Sequence, residues 1–151
     1  MSPFLSDDPV ATKGSYILLA ELVTPVRIQV GRLGSFDFKE GIYAYCGSAL
    51  NGLESRLRRH FSTDKKLRWH IDYLMERAEV IEALVVPSPV RLECVLNRIV
   101  GNLDGSSMPV EGFGSSDCGC RSHLHLISEK DLSDLKAIFG DLTVSPSDLL
   151  C

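Results

Sequence analysis

The residues whose chemistry stands out are phenols and bases at the ends of apolar segments. Tyr43 and Tyr45 are two apart in the aromatic segment GIYAYCG (41–47), so a strand there directs both hydroxyls to one face. Arg56 and His60 follow this segment and are one helical turn apart. An arginine and a histidine near a helix start that adjoins a strand end are typical of phosphate binding. Spacing alone also fits structural roles for these side chains at the edges of elements.

Glu93 is a further candidate because it lies among the core-facing positions of a segment with helical periodicity. Leu92 precedes it, and Asn97 follows one turn later. A carboxylate at such a position is costly to bury unless it is paired or bound to a metal. Glu93 is therefore a candidate metal ligand, with a structural role at the edge of the helix as the alternative.

Hydrophobic periodicity predicts the elements that must position these residues. Strands are predicted at 16–23, Val26–Val30, 41–47, 79–86 and 123–127, with a short extended piece at 36–38. Helices are predicted at 50–62, 67–75, 92–99 and 130–139. The order β-β-β-α-α-β-α-β-α indicates one α/β (α+β) domain, a small mixed or antiparallel sheet flanked by helices, over residues 14–140. We expect a flexible arm at 1–13 and a C-terminal tail at 141–151.

The composition excludes several classes of protein. The chain has 151 residues, 44% of them hydrophobic and 24% charged, as in an ordinary globular protein. No run approaches the roughly 18 apolar residues of a membrane-spanning helix. The first ten residues, MSPFLSDDPV, carry two acids and no apolar block, which argues against a secretory signal. The odd number of five cysteines fits reduced thiols. We therefore expect a cytoplasmic protein without a membrane partner.

Four short motifs resemble the GIY-YIG nuclease superfamily. The strand end 45–47, Tyr-Cys-Gly, followed by Arg56 and His60, resembles the second signature and the first helix of that superfamily. Gly14-Ser15-Tyr16, at the start of the first strong strand, resembles the first signature. Glu93 occupies the position of the superfamily's metal-binding glutamate. The resemblance thus implies a GIY-YIG-like domain.

Two longer blocks are similar to a compact stand-alone branch, domain of unknown function family 123. They are WHIDYL (69–74) and GFGSSDCGCRSHL (112–124), and the whole resemblance covers residues 14–127. Some members of that branch are fused to a DNA-repair glycosylase. The resemblance therefore implies a repair or processing setting and a repair-protein partner.

The letters GIY also occur at 41–43, directly before the second signature, where no intervening strand fits. We therefore assign the first signature to Tyr16 and treat Tyr43 as a neighbour on the second strand. Ser15 and Cys46 replace the isoleucines of the signatures. The separation of Tyr16 and Tyr45 exceeds the usual gap, which implies an extra strand or hairpin between them.

The resemblance implies metal-dependent hydrolysis of phosphodiester bonds in DNA or RNA. Glu93 would hold one divalent cation, Mg²⁺ or Mn²⁺, because such cations prefer carboxylate and water ligands. Tyr16 would take the proton from the attacking water. Arg56 would bind the scissile phosphate and offset charge in the transition state. His60 would donate a hydrogen bond to the phosphate or to a tyrosine, and Tyr45 would line the site.

Basic residues are concentrated in the segment that begins at Arg56. The chain has a net charge of −4, yet residues 56–68 carry six cations against the single acid Asp64, a net +5 that leaves −9 elsewhere. We expect five of these cations to follow a nucleic-acid backbone, namely Arg58, Arg59, Lys65, Lys66 and Arg68. A solvated helix face is the alternative. Nearby, His70 and Asp72 are expected to form a hydrogen-bonded structural pair, with DNA contact as the alternative.

The segment DCGCRSH supports a competing hypothesis. Cys118, Cys120 and His123, with Asp117 or His125 as a further ligand, could form a zinc site. Cys-x-Cys is not the usual spacing of zinc ligands, however, and no second cysteine pair completes the set. A loop over the active site that carries Asp117 or Cys118 near the metal is one alternative, and ordinary loop thiols are another.

Three functional classes follow from these observations. The leading hypothesis is a metal-dependent endonuclease. The second is a non-catalytic nucleic-acid-binding module on the same scaffold, and the third is a metal- or thiol-centred protein that uses Cys118, Cys120 and His123.

Overall fold

The computed structural model describes residues 12–140 and 142–149, and all but the last two residues of the arm predicted at 1–13 lie outside these ranges. The described strands are β1 (Gly14–Leu22), β2 (Val26–Val30), β3 (Gly34–Phe38), β4 (Gly41–Ala49), β5 (Glu79–Pro87), β6 (Leu124–Ile127) and β7 (Thr143–Val144). The described helices are α1 (Leu53–Phe61), α2 (His70–Met75), α3 (Glu93–Gly101), α4 (Glu129–Phe139) and α5 (Pro146–Leu149). Each helix and strand predicted from periodicity is present within a few residues of its expected bounds.

Five strands form one sheet in the order β6-β4-β1-β5-β7, and every neighbouring pair in it is antiparallel. This confirms the expected α+β class and selects the antiparallel form of the sheet. β1 is the central strand, and its residues 14–20 are all buried because helices cover both faces. Burial on both faces explains why its sequence is continuously apolar rather than alternating.

A separate two-stranded sheet connects β1 to β4. β2 and β3 pair from Val26 opposite Phe38 to Val30 opposite Gly34. The extended piece expected at 36–38 is therefore a full strand. The hairpin is the extra element that the long separation of Tyr16 and Tyr45 implied, so that prediction is confirmed.

Two hydrophobic layers lie on opposite faces of the large sheet. One face packs against α1, α2 and the hairpin, with Leu53, Leu57 and Ile71 in its core. The other face packs against α3 and α4, with Leu96 and Leu135 in its core. Burial of these side chains supplies most of the driving force for the fold.

The segment predicted as a C-terminal tail contains two elements in its described part. β7 pairs with the outer edge of β5, with Val144 opposite Ala83. α5 then buries Leu149, and the Leu149 carbonyl accepts a hydrogen bond from Arg58. The described part of this segment thus covers the edge of β5 and buries two apolar side chains, Val144 and Leu149. Within the described ranges, every helix is too short or too polar to cross a membrane.

Candidate functional site

A cavity of about 320 Å³ opens where β1 and β4 meet the starts of α1 and α3 and the loop 111–123. Its wall includes nine of the residues singled out from the sequence, namely Tyr16, Tyr45, Arg56, Arg68, His70, Glu93, Asp117, Cys118 and His123. The structure therefore brings the phenol of β1, the guanidinium of α1 and the carboxylate of α3 to one place.

Tyr16 reaches the cavity because the strand beside it carries a glycine. Gly47 of β4 lies opposite Tyr16, and a Cβ at position 47 would lie 2.6 Å from the Tyr16 hydroxyl. A glycine therefore leaves the room that the phenol occupies. Tyr16 is 1% exposed, and burial raises its pKa to about 12, although the positive charge of Arg56 lowers that pKa in part. The hydroxyl accordingly carries its proton at neutral pH.

His60 lies behind Tyr16 rather than on the cavity wall. From the sequence, we expect His60 to bond either the phosphate or a tyrosine. Its Nε2 is 2.7 Å from the Tyr16 hydroxyl, so the partner in the structure is a tyrosine. Burial, with the positive charges of Lys65 and Arg56, lowers the pKa of His60 to about 3, so the ring is neutral and carries one N–H.

The buried Nδ1 of His60 shows which atom donates in the hydrogen bond between His60 Nε2 and the Tyr16 hydroxyl. Nδ1 is buried and has no hydrogen-bond partner among the described residues. A buried N–H without an acceptor is rarer than an unused lone pair, so the proton belongs on Nε2. Nε2–H then donates to the Tyr16 oxygen. The Tyr16 O–H is left to donate into the cavity.

Arg56 and Arg59 stack on the faces of Trp69. Their guanidinium carbons lie 4.4 Å and 4.1 Å from the ring centre, and that of Arg68 lies 5.7 Å away. Arg56 also donates to the Ser48 carbonyl at 3.0 Å. In the part of the chain that the structure describes, no carboxylate pairs with Arg56, so most of its N–H donors remain for a ligand.

A buried ion pair fixes the stacked tryptophan. Both Arg59 Nη atoms donate to the Asp72 carboxylate at 2.8 Å, which also accepts the backbone N–H groups of Arg68 and Trp69. Burial raises the pKa of Asp72, but these hydrogen bonds outweigh burial and hold that pKa below its ordinary value. The partner of Asp72 is therefore Arg59, not His70.

Glu93 is the first residue of α3, and two serines position this helix start. The Leu92 N–H donates to Ser15 Oγ at 2.8 Å, and Ser15 Oγ is 2.6 Å from Ser48 Oγ. The Glu93 carboxylate is 3.8 Å from Arg91 Nη1 and 3.9 Å from His123 Nδ1, beyond hydrogen-bond distance from either. The Glu93 carboxylate thus faces the cavity, and none of the residues described by the structure holds it at hydrogen-bond distance.

The loop 111–123 closes one side of the cavity and contacts two aromatic residues. The Gly114 N–H donates to His70 Nδ1 at 2.8 Å, which places the proton of His70 on Nε2. A Cβ on Gly114, whose φ is +69°, would lie 2.7 Å from the Tyr45 ring. Burial lowers the pKa of His70 and raises that of Tyr45 well above its ordinary value.

Three cysteines and a histidine converge beside Glu93. The ligand atoms of Cys94, Cys118, Cys120 and His123 all lie within 4.8 Å of one another. Neither alternative fourth ligand belongs to this group. Asp117 lies on the cavity wall, and His125 Nε2–H donates instead to Asn97 Oδ1 at 2.8 Å.

Several residues singled out from the sequence lie away from the cavity. The Tyr43 hydroxyl donates to the Lys39 carbonyl at 2.6 Å. Arg58 pairs with Glu54, and Lys65 donates to the last carbonyls of α1 at Arg59 and His60. Of the expected backbone-binding cations, Arg68 lines the cavity and Lys66 is exposed. The basic segment is therefore not one continuous binding surface, because Arg59 and Lys65 are engaged in local structure.

Reasoning from the sequence missed three functional candidates. Trp69 supplies the face on which the arginines stack, and Arg91 adds a third guanidinium to the cavity wall. Cys94 completes the four-ligand cluster. The only sequence signal for Cys94 is its place directly after Glu93, and no spacing rule links it to the cysteines of the later loop.

Comparison with known proteins identifies a family. The family profile described as "Domain of unknown function DUF123" matches residues 15–144. No curated protein and no solved structure gives a significant match to the chain. Because the matched range covers most of the chain and contains the cavity wall and the cysteine cluster, the chain belongs to the DUF123 family.

Proposed function

We propose that the protein is a divalent-cation-dependent nuclease of the GIY-YIG type that hydrolyses phosphodiester bonds in DNA or RNA. The observation that supports this most strongly is that Tyr16, Arg56 and Glu93 line one cavity although they come from β1, α1 and α3. A phenol, a guanidinium and a carboxylate provide proton handling, phosphate binding and cation binding respectively.

The donor set suits a hard divalent cation. Among the described residues, Glu93 has no protein partner within hydrogen-bond distance, and Asp117 adds a second carboxylate to the same cavity. Carboxylate oxygens and water are the ligands that Mg²⁺ and Mn²⁺ prefer. Glu93, with Asp117 nearby, would hold the cation, which when bound stabilises negative charge on a phosphate oxygen as a Lewis acid.

Positive charge on the cavity wall suits a phosphate substrate. Arg56, Arg68 and Arg91 line the cavity of a chain whose net charge is −4. The planar guanidinium of Arg56, held against Trp69, can present two parallel N–H donors to the non-bridging oxygens of the scissile phosphate. Arg68 and Arg91 can then contact neighbouring phosphates.

Tyr16 orients the attacking water. Nε2–H of His60 donates to the Tyr16 oxygen, and the Tyr16 O–H is left to donate into the cavity. To accept a proton from the attacking water, the hydroxyl must first release its own proton to solvent in the cavity, a loss that the positive charge of Arg56 favours and burial opposes. His60 is a positioning residue, because its hydrogen bond stabilises the phenolate without touching substrate.

The experiment is a cleavage assay with branched, abasic-site, single-stranded and duplex oligonucleotides in Mg²⁺ or Mn²⁺. We expect the wild type to cut at least one substrate and both Glu93→Gln and Arg56→Ala to lose about 100-fold or more of the rate. Matched controls are Glu76→Gln and Arg27→Ala, two exposed residues outside the cavity, which should cut like the wild type.

The same assay distinguishes the competing hypothesis of a non-catalytic binding module. Salt-dependent binding that weakens in Arg68→Ala, with no cleavage of any substrate in either metal, would support the module and contradict the nuclease. Full activity of both cavity variants would also contradict the proposed site.

A further inference from the structure

We propose that Cys94, Cys118, Cys120 and His123 bind one structural zinc ion that fastens the loop 111–123 to α3. Their four ligand atoms lie within 4.8 Å of one another. Nε2 of His123 is 3.2 Å from Cys118 Sγ and 3.9 Å from Cys94 Sγ. Tetrahedral zinc with bonds of about 2.0–2.3 Å requires neighbouring ligands about 3.5–3.8 Å apart, so small side-chain adjustments suffice.

The tautomer of His123 provides independent support for this site. The ring is 1% exposed, and Nδ1 lies 3.0 Å from the Cys46 carbonyl oxygen. A carbonyl only accepts, so Nδ1 carries the proton and Nε2 presents its lone pair to the two thiols. A zinc-bound histidine usually donates its other N–H to a carbonyl or a carboxylate in this way. The fold therefore holds His123 as a metal ligand requires.

The ligand chemistry favours zinc over the hard cations proposed for Glu93. Three thiolates and one imidazole form a soft donor set that selects zinc and is poor for Mg²⁺ or Mn²⁺. Four protein ligands also close the coordination sphere, which is typical of structural rather than catalytic zinc. The chain would thus hold two different cations at adjacent positions, one bound by sulfur and nitrogen and one by oxygen.

The place of the cluster explains what the zinc does. Between Phe113 and Arg121 the described backbone hydrogen bonds from the loop are few: Gly114 N–H to His70, and Cys118 N–H to the Ser115 carbonyl. A long loop with so few restraints has a large conformational entropy to lose. A metal that joins the loop to Cys94 of α3 removes that freedom.

The cluster also positions both carboxylates of the cavity. Glu93 precedes Cys94, and Asp117 precedes Cys118. This consequence rests on the proposed function, whereas zinc binding itself does not. A protein that binds zinc but cuts nothing would leave the zinc site intact and contradict only the nuclease.

The test is the metal content of the full chain, purified without chelator and measured by inductively coupled plasma mass spectrometry. We expect about one zinc per chain for the wild type and less than about a tenth of that for Cys94→Ser, Cys118→Ser and His123→Asn. His125→Gln is the matched control for the histidine variant, because His125 is a buried imidazole bonded to Asn97 and lies outside the four-ligand group, and the variant should keep its zinc.

Two measurements on the wild type keep the test decisive if a variant does not fold. Cobalt exchanged into the site should give the visible absorption of tetrahedral thiolate coordination, and removing zinc with a strong chelator should lower Tm until zinc is restored. The proposal is overturned if the wild type takes up no zinc, if it holds iron or copper instead, or if a disulfide joins two of the three cysteines.

Discussion

At the scale of single residues, the candidate site depends on what lies next to each side chain. Tyr16 has its place because Gly47 leaves room for it, and its hydroxyl is oriented by the neutral ring of His60. Tyr16, Arg56 and Glu93 were found from the sequence because their types and order match a known pattern. Trp69 and Arg91 were missed because stacking and cavity position depend on the folded chain.

Replacing Tyr16 with phenylalanine removes only the hydroxyl that we propose transfers the proton of the attacking water. We expect Tyr16→Phe to lower the cleavage rate about 100-fold or more, since general acid–base catalysis contributes about 10²–10⁴-fold. Tyr43→Phe is the matched control, because it removes a hydroxyl on the same face of the sheet, and that hydroxyl donates to the Lys39 carbonyl. It should cost about 1 kcal/mol of stability and leave the rate unchanged. Equal rates for the two variants would contradict the role of Tyr16.

Adding one methyl group at Gly47 displaces Tyr16 without changing its chemistry. The new Cβ would lie 2.6 Å from the hydroxyl, so the ring must move from its present position. We expect Gly47→Ala to reduce the cleavage rate at least tenfold, because catalytic groups tolerate little misplacement. Gly119→Ala is the control, since a Cβ there meets no atom within 4 Å. If Gly47→Ala cuts as fast as Gly119→Ala, the geometric argument is wrong.

At the scale of elements, one buried ion pair connects α1 to the start of α2. Arg59 bonds Asp72 and stacks on the Trp69 ring, and Asp72 accepts the backbone N–H of Trp69. Arg56 in turn stacks on Trp69 at the cavity wall. The sequence predicted both helices from apolar spacing but assigned Arg59 to nucleic-acid binding. A charge run does not reveal which of its members finds a buried partner, because that partner comes from another element.

Breaking this pair should loosen the cavity wall and destabilise the fold. In Asp72→Asn the Arg59 charge loses its partner, and we expect about 2–3 kcal/mol less stability by urea unfolding. Fluorescence of Trp69, the only tryptophan of the chain, reports the local change. Asp37→Asn is the control, because its ion pair with Arg27 is exposed, with side chains 81% and 62% accessible. It should change stability by about 0.5 kcal/mol or less, and a similar loss in both variants would count against the argument.

At the scale of the whole molecule, the alternation and turn residues of the sequence predicted the order of the elements and the inserted hairpin. They did not predict β7 and α5, because a strand of two residues and a helix of four residues are too short to show a periodic pattern. The four-ligand cluster was predicted only in part, since Cys94 and the loop thiols meet through the packing of α3 against the sheet. Sequence order alone does not contain that contact.

Buried neutral histidines make the stability of the whole domain depend on pH. Burial lowers the pKa of His60 to about 3 and that of His125 to about 4, while both titrate near 6.5 in the unfolded chain. The unfolded chain therefore binds more protons below about pH 6.5. Stability is full above that pH and falls as the pH drops toward 4, with a slope of up to about 1.4 kcal/mol per pH unit for each histidine.

Urea unfolding between pH 7.5 and 4.5 measures this slope. His125→Gln removes one titrating group. The free energy of unfolding of this variant should therefore change less per pH unit than that of the wild type, by up to about 1.4 kcal/mol per pH unit. Parallel curves for the two proteins would show that His125 is not held neutral by the fold.

The most direct measurement for the central claim is a crystal of the protein grown with Mn²⁺ and a non-cleavable phosphorothioate oligonucleotide. We predict an anomalous manganese peak within coordination distance of the Glu93 carboxylate, with one phosphate bound between that ion and Arg56, and the Tyr16 hydroxyl facing the same phosphate. Manganese bound elsewhere, or an oligonucleotide lying outside the cavity, would contradict the account.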